Sequence, residues 1–347
     1  MTTTQTNDVP LPTYKPKDFA SDQEVRWCPG CGDYAVLKGV QKAASALGRR
    51  REDFVFISGI GCAARFPYYM NTYGMHTIHG RSPAVATGVK LANPKLQVCI
   101  VSGDGDLLSI GGNHTMHAIR RNIDITVLLL NNRIYGLTKG QYSPTSEVGK
   151  KTKSTPLGSL DFPINPLSLA LGAGCRFIAR TLDVDLKLFD EVYTRALEFR
   201  GCSLVEVYQD CNIFNHGSFF YASQKDTKPE NTVLLRHGEP MVFGKDNDKG
   251  LRRKGENIEV VQLGGGVTED ELLIHDETNL MMAHMLTELA HPEFPEPMGV
   301  LYADPTDPSY DKLYGDQVEE AKRRYEGQTL ESLIRGENTW TVGPAKR

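Results

Sequence analysis

The sequence predicts an α/β protein built on a doubly wound parallel sheet with a C-terminal extension. Two observations carry that expectation. Short apolar runs alternate with amphipathic helical stretches from about Cys28 to Gly217, a pattern that buries a parallel sheet under helices on both faces. Gly59, Gly103, Asn132 and Cys211 each fall just past such a run, at strand carboxyl ends, where open α/β sheets bind ligands.

The elements follow in order. Ala35, Leu37, Val40, Ala43 and Leu47 have helical spacing, so a helix is expected over Asp33–Leu47. Asp53–Ile57 is a short buried strand that ends in Ser-Gly-Ile-Gly, and Leu96–Val101 is the strand that delivers Gly103. A helix over Gly111–Arg121 and a strand over Ile125–Leu130 come next, then a helix over Asp185–Phe199 and a buried strand over Leu204–Tyr208. Residues 1–24 are a polar N-terminal arm, and 25–224 form the α/β domain. Lys225–Asn257 is polar, charged and aperiodic, and is expected to be a linker or a surface-wrapping arm. A strand over Ile258–Leu263 and a helix over Thr268–Leu289 follow within the extension, 225–347.

The chain has 347 residues, enough for one large core or two modest ones. Its net charge of −4 gives no reason to expect a nucleic-acid surface. Residues 1–24 lack the apolar core of a signal peptide, and no apolar run approaches the roughly 20 residues of a membrane span. The expected location is cytoplasmic, where the seven cysteines are ligands or buried thiols rather than disulfides.

Gly103-Asp-Gly and Asn131-Asn132 close two apolar strands, with twenty-five residues between Gly105 and Asn131. The pattern resembles the metal–diphosphate signature of thiamine diphosphate enzymes. Its chemistry agrees with the residues. Mg²⁺ takes hard oxygen ligands, which the Asp104 carboxylate and the Asn132 amide supply, and glycines let the backbone approach phosphate. A helix beginning near Gly111 adds N-terminal backbone donors. A lone Gly-Asp-Gly would be a simple turn; the paired spacing argues otherwise.

The cysteines sort by context. Cys99 lies within an apolar strand, and Cys175 and Cys202 border strands without polar company, so these three are core. Cys28 and Cys31 form a Cys-x-x-Cys turn, Cys62 follows the strand ending at Gly59, and Cys211 follows another strand end. These four make one thiolate set, suited to Zn²⁺ or a [4Fe–4S] cluster. Beside thiamine diphosphate a cluster has electrons to collect, whereas a zinc staple has no special reason to share the pocket.

Trp27-Cys-Pro-Gly-Cys-Gly32, Ser58-Gly-Ile-Gly-Cys62, Ile78-His-Gly-Arg81, Gly103-Asp-Gly-Asp106 and Asn131-Asn-x-x-Tyr-Gly-Leu-Thr-Lys-Gly-Gln141 occur in this order. Together they resemble the beta subunits of 2-oxoacid:ferredoxin oxidoreductases, the 2-oxoglutarate branch above all, over roughly residues 25–220. The resemblance implies coenzyme A-dependent oxidative decarboxylation of 2-oxoglutarate to succinyl-CoA and CO₂. Electrons would pass through a [4Fe–4S] cluster to ferredoxin, and the reaction would be reversible as a carboxylation. It also implies that the backbone carbonyl of Ile134 joins Asp104 and Asn132 as Mg²⁺ ligands. Ile60, Gly61, Cys62, Ala63, Gly105, Asp106, Gly136 and Leu137 would lie along the cofactor, and Cys28, Cys31, Cys62 and Cys211 would hold the cluster. Ylide formation needs a glutamate that no motif here supplies. In the family it comes from an alpha subunit, so the chain is expected to work only in an alpha–beta pair.

Arg65 and Lys139 are candidate substrate readers: a guanidinium can meet the second carboxylate of 2-oxoglutarate bidentately, and Lys139 is an alternative contact for coenzyme A. His79, in the polar cluster with His76 and Arg81, is the candidate catalytic imidazole, a structural cap being its competing role. His114 and His117 read as packing or interface residues. Three alternatives stay open: the same chemistry on pyruvate or another 2-oxoacid, a non-redox thiamine decarboxylase or synthase subunit with zinc, and a non-catalytic zinc-stapled interaction module.

Overall fold

The computed structural model describes residues 12–343. Six strands run parallel at its centre: β1 (Phe54–Ser58), β2 (Tyr73–His76), β3 (Gln97–Gly103), β4 (Thr126–Asn131), β5 (Phe177–Leu182) and β6 (Ser203–Tyr208). The chain then adds β7 (Thr232–Leu234) and a small antiparallel sheet of β8 (Val242–Phe243), β9 (Lys249–Lys254) and β10 (Asn257–Gln262). It finishes the main sheet with β11 (Glu296–Ala303). The order in the main sheet is β2-β1-β3-β4-β6-β5-β11-β7. Only β11 breaks the parallel run, pairing antiparallel with β5 and parallel with β7.

Side chains of successive strand residues point to opposite faces, so each buried strand feeds two cores. Phe54, Phe56, Val101, Leu128, Leu130, Val205 and Val207 pack on one side against the helices α1 (Asp33–Ala46) and, later in the chain, Leu186–Glu198. Val55, Ile57, Val98, Ile100, Val127, Leu129 and Leu204 pack on the other, under helices Ser82–Ala92, Gly112–Arg120 and Pro166–Gly172. This is the doubly wound arrangement expected from the alternation. Caps fix several helix starts. The Asp185 carboxylate accepts the Leu188 N–H at 3.0 Å, and Asn165 accepts that of Ser168 at 3.2 Å.

The C-terminal part departs from the sequence expectation. Lys225–Asn257 is not a plain linker: Val233 and Leu235 are buried, and β7 joins the main sheet. With β11, it carries the sheet across the boundary expected at residue 224/225. The helix expected over Thr268–Leu289 forms only at Leu280–Thr287. Upstream, backbone groups are spent elsewhere. Leu273 N–H bonds to Leu251 O at 2.8 Å, Met241 N–H bonds to Leu273 O at 2.9 Å, and Asp276 closes a turn on Thr278. Among the described residues, no helix is long and apolar enough to cross a membrane.

Candidate functional site

The carboxyl ends of β1, β3 and β4 open onto a cleft of about 590 Å³. Its walls are Ile60–Ala63 after β1, Gly103–Asp106 at the end of β3, and Asn132 with Ile134–Thr138 after β4, with His79 and Asp33 closing the sides. After Gly103 the chain makes a wide helical turn in which Gly111 N–H reaches back five residues to Asp106 O at 3.1 Å. Such π-type turns recur at functional sites. Gly105 lies so close to the Tyr135 ring that a Cβ there would sit 2.2 Å from it, and the Tyr135 hydroxyl donates to Gly105 O at 3.0 Å. The β3 and β4 loops are thereby locked together.

Asp104 is almost fully buried at the floor of this cleft. Burial pushes its carboxyl pKa up, against hydroxyls of Ser143 and Thr145 that contact Oδ2 at 2.5 and 2.6 Å. Asn132 is turned by Gln209, which accepts from its Nδ2 at 2.8 Å, while its Oδ1 accepts the Ile134 N–H at 3.2 Å. Arg133 between them has a left-handed backbone, φ +55°, which sharpens the turn after β4. A desolvated carboxylate and an oriented amide oxygen in one cleft, with Ile134 beside them, form a hard oxygen set that fits a divalent cation carrying a diphosphate. Ser143, Thr145 and Ser146 were not foreseen. Their segment looked like any hydroxyl-rich turn, and only tertiary folding brings it under Asp104.

Asp106 behaves differently from Asp104. Its carboxylate accepts N–H groups from Ile60 at 3.0 Å and Gly80 at 2.7 Å, the Ser102 hydroxyl at 2.6 Å, and His79 Nδ1 at 2.5 Å. These partners account for the carboxylate, so its side chain braces the cleft.

Cys28, Cys31, Cys62 and Cys211 line a second cavity of about 770 Å³, next to the first. Asp33, Cys62, Asn132, Gly136 and Leu137 wall both. The Trp27 indole donates to Cys62 O at 2.7 Å and ties the Cys-x-x-Cys turn to the loop after β1. Gly136 lies between two of the sulfurs: a Cβ there would meet Cys211 Sγ at 3.5 Å and Cys62 Sγ at 3.6 Å. Burial, with the nearby Asp33 carboxyl adding to it, raises the Cys31 thiol pKa and pushes that of Cys62 up to about 12. Thiols in this setting become thiolates only with added positive charge, so the donor set fits a thiolate-bound metal group. Among the described residues, no three His, Cys, Asp or Glu side chains gather as a single-ion site. Cys99, Cys175 and Cys202 are buried in the cores.

Arg65 and Lys139 line the cysteine cavity and not the first cleft. Arg65 Nη1 donates to Arg26 O at 2.9 Å. His114 and His117 lie on the Gly112–Arg120 helix, outside both linings.

Behind the loop that follows β4 runs a buried polar chain that sequence reasoning also missed. Thr145 Oγ1 lies 2.9 Å from Asn131 Oδ1, and Asn131 Nδ2 donates to Glu206 at 2.8 Å. Arg180 bridges Glu206 at 2.8 Å and Glu296 at 3.0 Å, and the hydroxyls of Tyr208 and Tyr221 donate to Glu296. Nothing local marks these residues, because their partners lie on β4, β5, β6 and β11.

Comparison with known proteins adds to this geometry. The family described as thiamine pyrophosphate enzyme, C-terminal TPP binding domain, matches residues 59–207. The chain is 50% identical to 2-oxoglutarate oxidoreductase subunit KorB of Mycobacterium tuberculosis, over 99% of this chain and 93% of that protein. It is 41% identical to 2-oxoglutarate synthase subunit KorB of Methanocaldococcus jannaschii, over 71% of this chain and 86% of that one. Among solved structures it is similar to 2-oxoglutarate:ferredoxin oxidoreductase from Magnetococcus marinus with 2-oxoglutarate, coenzyme A and succinyl-CoA bound. The TM-score is 0.74 and the identity 33%, covering 93% of this chain and 96% of that one.

Proposed function

The chain belongs to the family of 2-oxoglutarate:ferredoxin oxidoreductase beta subunits, and from that premise we propose how its two cavities divide the work. It is a subunit of a thiamine diphosphate-dependent oxidoreductase acting on 2-oxoglutarate and coenzyme A. The observation that carries the reading is the shared wall: Cys62, Asn132 and Gly136 border the diphosphate cleft and the four-cysteine cavity alike. Groups bound in the two cavities would therefore be neighbours.

Asp104, Asn132 and the Ile134 carbonyl would hold the Mg²⁺ that accompanies the diphosphate. Ile60, Gly61, Ala63, Gly105 and Leu137 shape the wall along the cofactor. Bound thiamine diphosphate supplies the carbon nucleophile that lets a 2-oxoacid lose CO₂, and a [4Fe–4S] cluster on Cys28, Cys31, Cys62 and Cys211 supplies one-electron transfer. His79 moves or holds a proton at the cleft's side. Arg65 and Lys139 supply positive charge for the carboxylate of 2-oxoglutarate or for coenzyme A. An alpha subunit brings the missing glutamate, the working unit is an alpha–beta pair or its doubled form in the cytoplasm, and ferredoxin takes the electrons. With low-potential ferredoxin the same site runs as a reductive carboxylase, as carbon fixation through a reductive TCA cycle requires.

The test is anaerobic co-purification with the natural partner subunit, with iron and thiamine diphosphate quantified. Ferredoxin or viologen reduction is then followed with a panel of 2-oxoacids and coenzyme A. The expected protein is brown, reduces the acceptor with 2-oxoglutarate first among the 2-oxoacids, and is inactive as the beta chain alone. A colourless, iron-free complex that still binds thiamine diphosphate would overturn the redox reading in favour of zinc.

A further inference from the structure

Asp106 joins three loops that lie far apart in sequence. Its Oδ1 takes N–H bonds from Ile60, after β1, and from Gly80, before the Ser82–Ala92 helix, and it also takes His79 Nδ1 at 2.5 Å. Oδ2 takes the Ser102 hydroxyl. The fit is tight enough that a Cβ at position 59 would stand 1.9 Å from this carboxylate, so Gly59 is demanded by Asp106. The side chain of Asp106 is 99% buried, whereas that of His79 is 36% exposed and lines the diphosphate cleft.

A carboxylate that already accepts two backbone N–H groups offers His79 only an acceptor. Nδ1 of His79 must then carry its proton, and Nε2, which has no hydrogen-bond partner among the described residues, is the ring nitrogen left for the cleft. We propose that Asp106 is a positioning residue, fixing His79 in the Nδ1–H form with Nε2 available to the reacting group, and that it does not contact the diphosphate. This deepens the assignment of His79 above and rests on it. The logic is that of a carboxylate orienting a catalytic imidazole.

The experiment uses the complex of both subunits with Asp106→Asn, His79→Gln and the double variant. Asp106→Asn should lower kcat with 2-oxoglutarate by about 10- to 100-fold, with bound thiamine diphosphate unchanged. The double variant should fall no further than His79→Gln alone, since the two act as one unit. Histidine-selective ¹⁵N spectra of the cofactor-free complex, assigned by the signal missing from His79→Gln, should show Nδ1 protonated in the wild type. A wild-type ring protonated at Nε2 alone overturns the proposal even if Asp106→Asn does not fold. Loss of cofactor content in step with activity makes Asp106 a cofactor ligand instead. Full activity in His79→Gln removes the catalytic role of His79 while leaving the spectrum to judge the Asp106–His79 pair.

Discussion

Replacing Arg180 by Met separates the charges at the centre of the sheet. Arg180 is 3% exposed, and Glu206 and Glu296 are 1% and 4% exposed. Burial disfavours the guanidinium's charge, yet Tyr208, Glu206 and Glu296 together hold its pKa above the ordinary value. Met fills much of the volume but leaves both glutamates buried without a cation at their former contacts. Breaking a buried pair by removing one partner costs about 3–5 kcal/mol. With an unfolding entropy of roughly 2 cal/mol/K per residue over the chain, the Tm should fall by about 4–7 °C. Adding Glu206→Gln and Glu296→Gln removes the stranded charges; the amide oxygen at 206 still accepts from Asn131, and at 296 the oxygen accepts one of the Tyr208 and Tyr221 hydroxyls while the amide N–H donates to the other. The triple variant should therefore recover most of the loss. The assay is thermal unfolding by circular dichroism at a fixed scan rate. A single variant within about 1 °C of wild type would refute the reasoning, because a cost of that mechanism cannot be so small.

Other outcomes follow from the same geometry. Thr145→Val removes a hydroxyl from buried Asp104 and Asn131 and should weaken Mg²⁺–thiamine diphosphate retention by about 5- to 100-fold in a binding titration. Cys28→Ser, Cys62→Ser or Cys211→Ser should abolish the visible absorbance and bound iron of the anaerobic complex, whereas Cys99→Ala should leave both in place. Asp183 is held by burial at a pKa of about 6, above its ordinary value. The folded chain therefore binds more protons there than the unfolded chain, and stability falls as pH rises from about 4 to 6. Asp183→Asn, which keeps an acceptor for Asp210 N–H, should flatten that fall and raise stability at pH 8 by roughly 1–3 kcal/mol. Denaturant titrations at pH 5 and 8 check the sign.

The alternation of apolar runs determined the doubly wound sheet, because strands buried on both faces and helices with one apolar stripe have few other ways to pack. The Gly-Asp-Gly to Asn-Asn spacing and the sorting of cysteines by context also pointed to the linings of both cavities, since Asp104, Asn132, Cys62 and Cys211 follow strands that position them. Short-range patterns could not find Ser143, Thr145, Glu206, Arg180 or Glu296. Their roles consist of contacts across many intervening residues, and a polar residue inside a strand carries no mark of the partner that will satisfy it. The same limit hid β7, three residues among polar turns, and β11, whose Pro297 and Gly299 interrupt the strand pattern of an otherwise apolar run. It also hid the difference between two aspartates two residues apart. The motif could say that Asp104 and Asp106 stand at the end of β3. Only the folded loops decided that one meets the Ser143 and Thr145 hydroxyls on the cleft floor and the other meets His79, because that choice is made by the N–H and hydroxyl donors that folding delivers to each carboxylate.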